Sequence, residues 1–238
     1  MVVKPDVRML FDIKEVIYDY KWLSNTNNAE LYYMYRGVSS NEKDLIKMNE
    51  YGLRYDITII PPCMLGCEFV KTAGHYHQIV PGTDITFPEI YEVLSSSAYF
   101  LIQKPEGDGI KDVAKIKAEQ GDKVIVPPGY GHITINASNN ILIVANWVAM
   151  KKESLYDHIK KKKGGAYYIL QDRIVKNSMY SYVPDIRTIK PISNKKPISN
   201  KIGMKKSDNM YQLINDIERL EFLIHPQEYE RLFESILV

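Results

Sequence analysis

The side chains in this sequence best equipped for chemistry lie in two histidine segments. Gly74-His75-Tyr76-His77 carries two imidazoles two positions apart, and the segment from Gly121 through Pro127-Pro128-Gly129-Tyr130-Gly131-His132 carries a third. Side chains alternate faces along a strand, so His75 and His77 are expected to point the same way. His132, Thr134 and Asn136 make a second polar row, with Ile133 and Ile135 turned away from it. Three neutral imidazoles on neighbouring strands suit a first-row divalent ion once an oxygen donor joins them. Glu89, in Pro88-Glu89-Ile90-Tyr91, is the expected fourth ligand. A cation held by these groups could polarise adjacent substrate oxygens as a Lewis acid.

The elements that must position these groups are short strands. From residue 53 to 148 apolar runs alternate with Pro- and Gly-rich links, and the strands are expected at 53–60, 67–77, 89–94, 98–104, 112–118, 123–126, 131–136 and 141–148. Such a series predicts an antiparallel barrel or jelly roll rather than a parallel sheet with crossover helices. In 53–60, Arg54, Asp56 and Thr58 share one face and Tyr55, Ile57 and Ile59 the other. A barrel interior lined by Arg, Thr, His and Asn is a wet binding cavity.

Around this core, Glu30-Leu31-Tyr32-Tyr33-Met34-Tyr35 and 166–170 read as further strands, and 41–48 as a short helix capped by Ser39-Ser40 and ended by Gly52. Lys190-Pro191-Ile192-Ser193-Asn194 is nearly duplicated as Lys196-Pro197-Ile198-Ser199-Asn200, and residues 183–206 are read as a linker. Beyond it, 207–238 is a helical extension, with Met210, Leu213, Ile214, Ile217, Leu220 and Ile224 at helical spacing, Asp208 as cap and Pro226 as breaker. Its apolar stripe must be covered either by the back of the barrel or by a partner, and spacing does not choose between them.

Composition narrows the class. Of 238 residues 45% are hydrophobic and 25% charged, which is enough apolar material for a sizeable core. The net charge of +2 offers no global attraction to nucleic acid. No apolar run approaches a membrane span, and the start of the chain lacks the apolar region of a secretion signal. Cys63 and Cys67, the two cysteines, do not make a disulfide framework and are read as structural thiols, with a reducing cytoplasm expected. The lysines at 160–163 are read as a solvated loop.

Gly121-x5-Pro127-x-Gly129-x2-His132-x3-Asn136 resembles the second cupin motif at each fixed position, and His75 and His77 supply the His-x-His of the first. Residues 78–88 separate them from Glu89, a longer gap than that motif has, read as a loop insertion at the barrel mouth. Within the cupins the chain is most similar to the archaeal-type, metal-dependent glucose-6-phosphate isomerases, over roughly residues 7–178. The similarity is carried by Val7-Arg8-Met9-Leu10, Thr58-Ile59-Ile60-Pro61-Pro62, Thr72-Ala73-Gly74-His75-Tyr76-His77, Glu89-Ile90-Tyr91, Gln103-Lys104-Pro105-Glu106-Gly107 and Val126-Pro127-Pro128-Gly129-Tyr130-Gly131-His132.

The resemblance implies an all-β core, a cupin (double-stranded β-helix or jelly-roll) barrel over residues 1–182 with short N-terminal strands, followed by the linker and the helical extension. It implies interconversion of D-glucose 6-phosphate and D-fructose 6-phosphate, a step of glycolysis and gluconeogenesis, by a cytoplasmic homodimer without nucleic-acid or membrane partners. One divalent Fe, Mn, Zn or Ni per subunit would be held by His75, His77, Glu89 and His132. Thr58, Thr72 and the backbone at Gly74 would bind the phosphate, Tyr91 and Tyr156 would line the sugar site, and Tyr32 would close it. Glu89 is the candidate base for the C1–C2 proton transfer, with a tyrosine or metal hydroxide as alternatives and a hydride shift as the rival route. An oxygen-using cupin enzyme and a non-catalytic sugar-phosphate sensor are the competing readings.

Two departures from the family stand out. Val148 and Ser154 stand where the family has a Tyr and a His, so a phosphate contact is either lost or supplied by Lys151, Lys152 or the lysines after them, and Ser96 stands where the first motif ends in Gly. Thr72 has the wrong parity to share a face with His75, and a bulge at Ala73-Gly74 would bring both inward.

Overall fold

A computed structural model describes residues 3–194 and 204–237. The second copy of the repeated segment, within the expected linker, lies outside the described residues. The strands are β1 (Asp6–Met9), β2 (Glu30–Tyr35), β3 (Leu53–Ile60), β4 (Met64–Leu65), β5 (Glu68–Phe69), β6 (Tyr76–His77), β7 (Glu89–Ser95) and β8 (Ser97–Glu106). They continue as β9 (Gly109–Glu119), β10 (Lys123–Val126), β11 (Gly131–Ile135), β12 (Leu142–Ala149), β13 (Ser154–Leu155), β14 (Tyr167–Ile169), β15 (Ile174–Lys176) and β16 (Arg187–Ile189). A six-stranded sheet runs in the order β1-β2-β3-β12-β7-β10, and a four-stranded sheet in the order β11-β8-β9-β16. All pairings in these two sheets are antiparallel except β16 on β9. This is the all-β jelly-roll core that the alternating pattern predicts.

The period of two decides what lies between the sheets. Val93 and Val144 from one sheet meet Phe100, Ile102, Ala114 and Ile116 from the other in the main core. On the same inward faces, toward one end of the sandwich, stand Asp56, Thr58, Glu89, Tyr91, His132, Thr134 and Asn146. The interior is therefore dry at one end and polar at the other.

Both outer faces are also apolar, and both are covered. Ile133 and Ile135 pack under Ala166, Tyr167 and Ile169. Tyr55, Ile90, Ile125 and Trp147, on the outer face of the six-stranded sheet, pack under Met210, Leu213, Ile217, Leu220 and Phe222. The C-terminal extension thus takes the back of the barrel as its surface.

That extension departs from the expected pair of α-helices. Met210–Leu223 is a run of 3-10 turns broken at Asp216, capped by Asn209 rather than Asp208, and the α-helix Glu230–Ile236 follows. Asp208 instead anchors the barrel, since its carbonyl accepts a hydrogen bond from buried Lys123. Within the expected linker, Arg187–Ile189 is the edge strand β16, with Ile189 buried, and Ser193 bonds Asp122. The helix at Glu42–Glu50 is capped by Asn41, whose side chain accepts from the amide of Asp44, rather than by the serines before it. The expected strand over 67–77 is interrupted, with pairing only at Glu68–Phe69 and Tyr76–His77 and isolated bridges from Lys71 to Ile135 and from His75 to His132. No helix among the described residues is long and apolar enough to cross a membrane.

Candidate metal centre

The interruption before His75 has a local cause. Gly74 adopts φ +76°, a left-handed conformation that suits glycine, and a Cβ there would come within 2.5 Å of Ile133 Cγ1. The kink changes the strand's parity, so Thr72 and His75 both face the polar interior. The amide of Thr72 donates to the carbonyl of Thr134, whose amide donates in turn to the Thr72 hydroxyl, while His75 and His132 exchange backbone hydrogen bonds. The expected bulge is thus the device that delivers the first histidine.

His75, His77, Glu89 and His132 bring four donor atoms within 4.8 Å of one another. His75 Nε2 and His77 Nε2 are 3.3 Å apart, and Glu89 Oε2 lies 3.1 Å from His77 Nε2 and 3.6 Å from His132 Nε2. These groups could hold a metal ion, and the donor chemistry fits one. His77 gives its Nδ1 proton to the carbonyl of Phe87 at 2.6 Å, which leaves the Nε2 lone pair facing inward. Lone pairs converging at such distances repel unless a cation lies among them. Three imidazoles and a carboxylate are donors for a first-row divalent ion.

The electrostatics keep these donors in their binding forms. Burial, helped by the nearby Lys152 ammonium, holds His75 well below the usual imidazole range and lowers His77 as well. Burial brings His132 down to about 3 against the opposing pull of Glu89. Burial alone would raise Glu89, but Lys152 and His77 beside it hold its carboxyl well below the ordinary range. Its Oε1 accepts from Asn146 Nδ2 at 2.7 Å and its Oε2 from Lys152 Nζ at 3.1 Å. Tyr91 lies 2.9 Å from His132 Nε2 through its hydroxyl, and burial beside Glu89 pushes that phenol well above its usual range.

His75, Glu89 and His132 line a polar cavity, with His77 behind them. Thr58, Thr72, Gly74, Tyr91, Tyr156 and Tyr32 all line it, so the structure brings the residues expected from the sequence together. Asn136 is an exception to the polar row: its side-chain amide donates to the carbonyls of Ile60 and Asn140 and stays out of the cavity. Arg54 binds Asp56 instead of facing inward. Lysines 160–163 lie elsewhere, Lys162 pairing with Asp108. Lys152 lines the cavity at its histidine end.

Sequence reasoning passes over Asn146 and Arg36 and places Asp56 correctly in the inward polar row. A signal for Asn146 is present, because an amide inside the otherwise apolar 142–149 run calls for a buried partner. Arg36 gives none, since its place at the cavity follows from its pairing with Asp6 and Asp56 across strands.

Comparison with known proteins follows the same line. The family model for glucose-6-phosphate isomerase (GPI) matches residues 7–185. The glucose-6-phosphate isomerase of Thermococcus litoralis is 32% identical over 143 residues, covering 59% of this chain and 67% of that protein. That of Thermococcus kodakarensis is 28% identical over 171 residues, covering 71% and 82%. Among solved structures, vicilin from Corylus avellana (15% identity, TM-score 0.39) aligns with 52% of this chain and 32% of its own. Oxalate decarboxylase from Bacillus subtilis (16% identity, TM-score 0.37) aligns with 53% and 29%, so the match spans less than a third of either solved chain. With the family model matched over most of its length and the four clustered donors inside that span, the chain belongs to the glucose-6-phosphate isomerase family.

Proposed function

We propose that this chain is a metal-dependent aldose–ketose isomerase that interconverts D-glucose 6-phosphate and D-fructose 6-phosphate. The observation that carries the reading is the convergence of His75, His77, Glu89 and His132 in a polar cavity, in a chain of this family. Those four side chains would hold a divalent ion (Fe, Mn, Zn or Ni), which would supply Lewis acidity to the bound sugar. The rest of the chemistry belongs to the protein.

Glu89 moves the proton between C1 and C2 when its inward oxygen, the one that would ligate, is off the ion. Asn146 fixes one carboxylate oxygen, so the other is aimed toward the cavity, and low intrinsic proton affinity keeps it ionised. Tyr91 keeps its phenolic proton and offers it to a sugar oxygen that gains charge in the transition state. The Thr72 hydroxyl accepts from the Thr134 amide, which leaves its own proton to donate. With Thr58 and the close backbone approach at Gly74 it forms the phosphate end, where Arg36 supplies a guanidinium to the same cavity. Tyr156, its ring 5.4 Å from that of His75, makes the sugar wall. The enzyme acts in the cytoplasm as a homodimer, and the mass of the purified protein in solution checks its assembly.

A coupled assay, glucose 6-phosphate in and fructose 6-phosphate out, tests the function. Turnover that vanishes with chelator and returns with divalent metal is the expected result. Tight sugar-phosphate binding without turnover would make the chain a sensor, and oxygen uptake would make it an oxygenase.

A further inference from the structure

The cluster contains a cation of the chain's own. Lys152 Nζ lies 3.1 Å from Glu89 Oε2 and 3.3 Å from His75 Nε2, and its side chain is 6% exposed. The backbone that carries it is anchored from two sides: its own amide donates to the carbonyl of Ala149, and Gln78, the first residue after His77, donates through Nε2 to the carbonyl of Lys151. Lys151, next to it, is exposed.

An imidazole nitrogen has one lone pair, which accepts a proton from an ammonium or binds a metal, not both. Lys152 therefore takes the Nε2 lone pair of His75 outright and lies on Glu89 Oε2, whose carboxylate keeps further lone pairs. A divalent ion on those donors would also stand within a few ångströms of the ammonium, where like charges repel in a site screened from water.

We propose that Lys152 is a tethered competitor of the metal, an internal cation that satisfies Glu89 and His75 and must withdraw from His75 before the ion can bind. The inference rests on the metal reading of the cluster. It assigns Lys152 a positioning role at the metal end of the cavity, and it predicts a protein that is stable without its ion and binds it more weakly than its donor set allows. Removing the ammonium has two opposite effects. Metal binding tightens, because nothing must be displaced, and the metal-free protein loses stability, because a buried carboxylate loses its partner.

The experiment titrates metal-free wild type, Lys152→Met and Lys151→Met with Co2+ in competition with a chromophoric chelator, and follows the thermal midpoint of each metal-free protein. Lys152→Met is expected to bind Co2+ at least about tenfold more tightly while melting at a lower temperature without metal. Lys151→Met, which removes the same charge from the neighbouring exposed position, is expected to change neither. Unchanged or weaker Co2+ binding in Lys152→Met, beside a wild type that binds, overturns the competition and leaves the metal centre standing. A wild type that binds no Co2+ overturns both. Equal tightening in Lys151→Met would reduce the effect to net charge and also overturn the proposal.

Discussion

His77 donates its Nδ1 proton to the carbonyl of Phe87, 2.6 Å away, and this bond joins the inserted loop to the centre. The loop is itself held at both ends, by Gly129 donating to the Thr86 hydroxyl at 2.6 Å and by Val80 and Phe87 packing on Ala149. The insertion that stretches the first motif therefore fixes the tautomer of a ligand.

Shortening the loop tests that relationship. Replacing residues 80–86 with two glycines should weaken divalent-metal binding about 10- to 100-fold, the usual cost of losing a ligand's outer hydrogen bond, while the fold persists. Metal titration of the purified variant reads it. Wild-type affinity would show that Phe87 does not orient His77.

Removing a ligand outright should do more. His77→Ala and His132→Ala are expected to abolish metal retention after gel filtration with a folded barrel by circular dichroism. Full occupancy, by elemental analysis, in either variant would move the metal elsewhere.

Acid should unfold the metal-free protein through the same imidazoles. Their folded-state proton affinities lie below the ordinary value near 6.5, that of His132 at about 3. The unfolded chain therefore takes up protons that the folded chain refuses, and stability falls as pH drops from about 6.5 toward 3. Glu89, also depressed, adds to the loss in the same direction at the acid end of that window. Thermal midpoints measured across the window should fall steadily, less so in His132→Gln, and a flat profile would contradict the neutral, buried state of these rings.

The tail is clamped to the barrel by a buried ion pair. Lys123 Nζ lies 3.2 Å from Glu92 and shares its three protons among the carbonyls of Gly121, Lys205, Lys206 and Asp208 within its reach, while Glu92 accepts from the amide of Met210. Lys123→Met should cost about 3–5 kcal/mol, because it strands a buried carboxylate, and adding Glu92→Gln should recover part of the loss. Denaturant unfolding measures both. A cost below about 1 kcal/mol would mean that the tail is held by its apolar contacts alone.

Ser96 adopts φ +70° at the position where the family motif has glycine, and its hydroxyl meets that of Ser138 at 2.7 Å. That left-handed conformation is one that glycine adopts at lower cost. Ser96→Gly should be about 1 kcal/mol more stable than Ser96→Ala, since both lose the hydroxyl contact and glycine alone relieves the strain. Equal midpoints for the two variants would remove strain from the account.

The alternation of polar and apolar residues determined most of this protein. It placed β3, β7, β10 and β12 within a residue of their observed bounds and turned His132 and Glu89 inward, because a strand's two faces are set by parity alone. Spaced motifs marked the three histidines, and residue type alone marked Glu89 across its longer gap. The tertiary structure decided what parity and spacing leave open. Lys152 reads as one of many surface lysines until the chain from β12 to β13 folds it against Glu89, and Asn136, which shares the histidine row's parity, spends its amide on a turn. The tail's apolar stripe found the back of the barrel rather than a partner because the outer face of the six-stranded sheet carries Trp147, Tyr55 and Ile90 in need of cover. Such choices depend on contacts between residues far apart in the chain, and no local pattern encodes them.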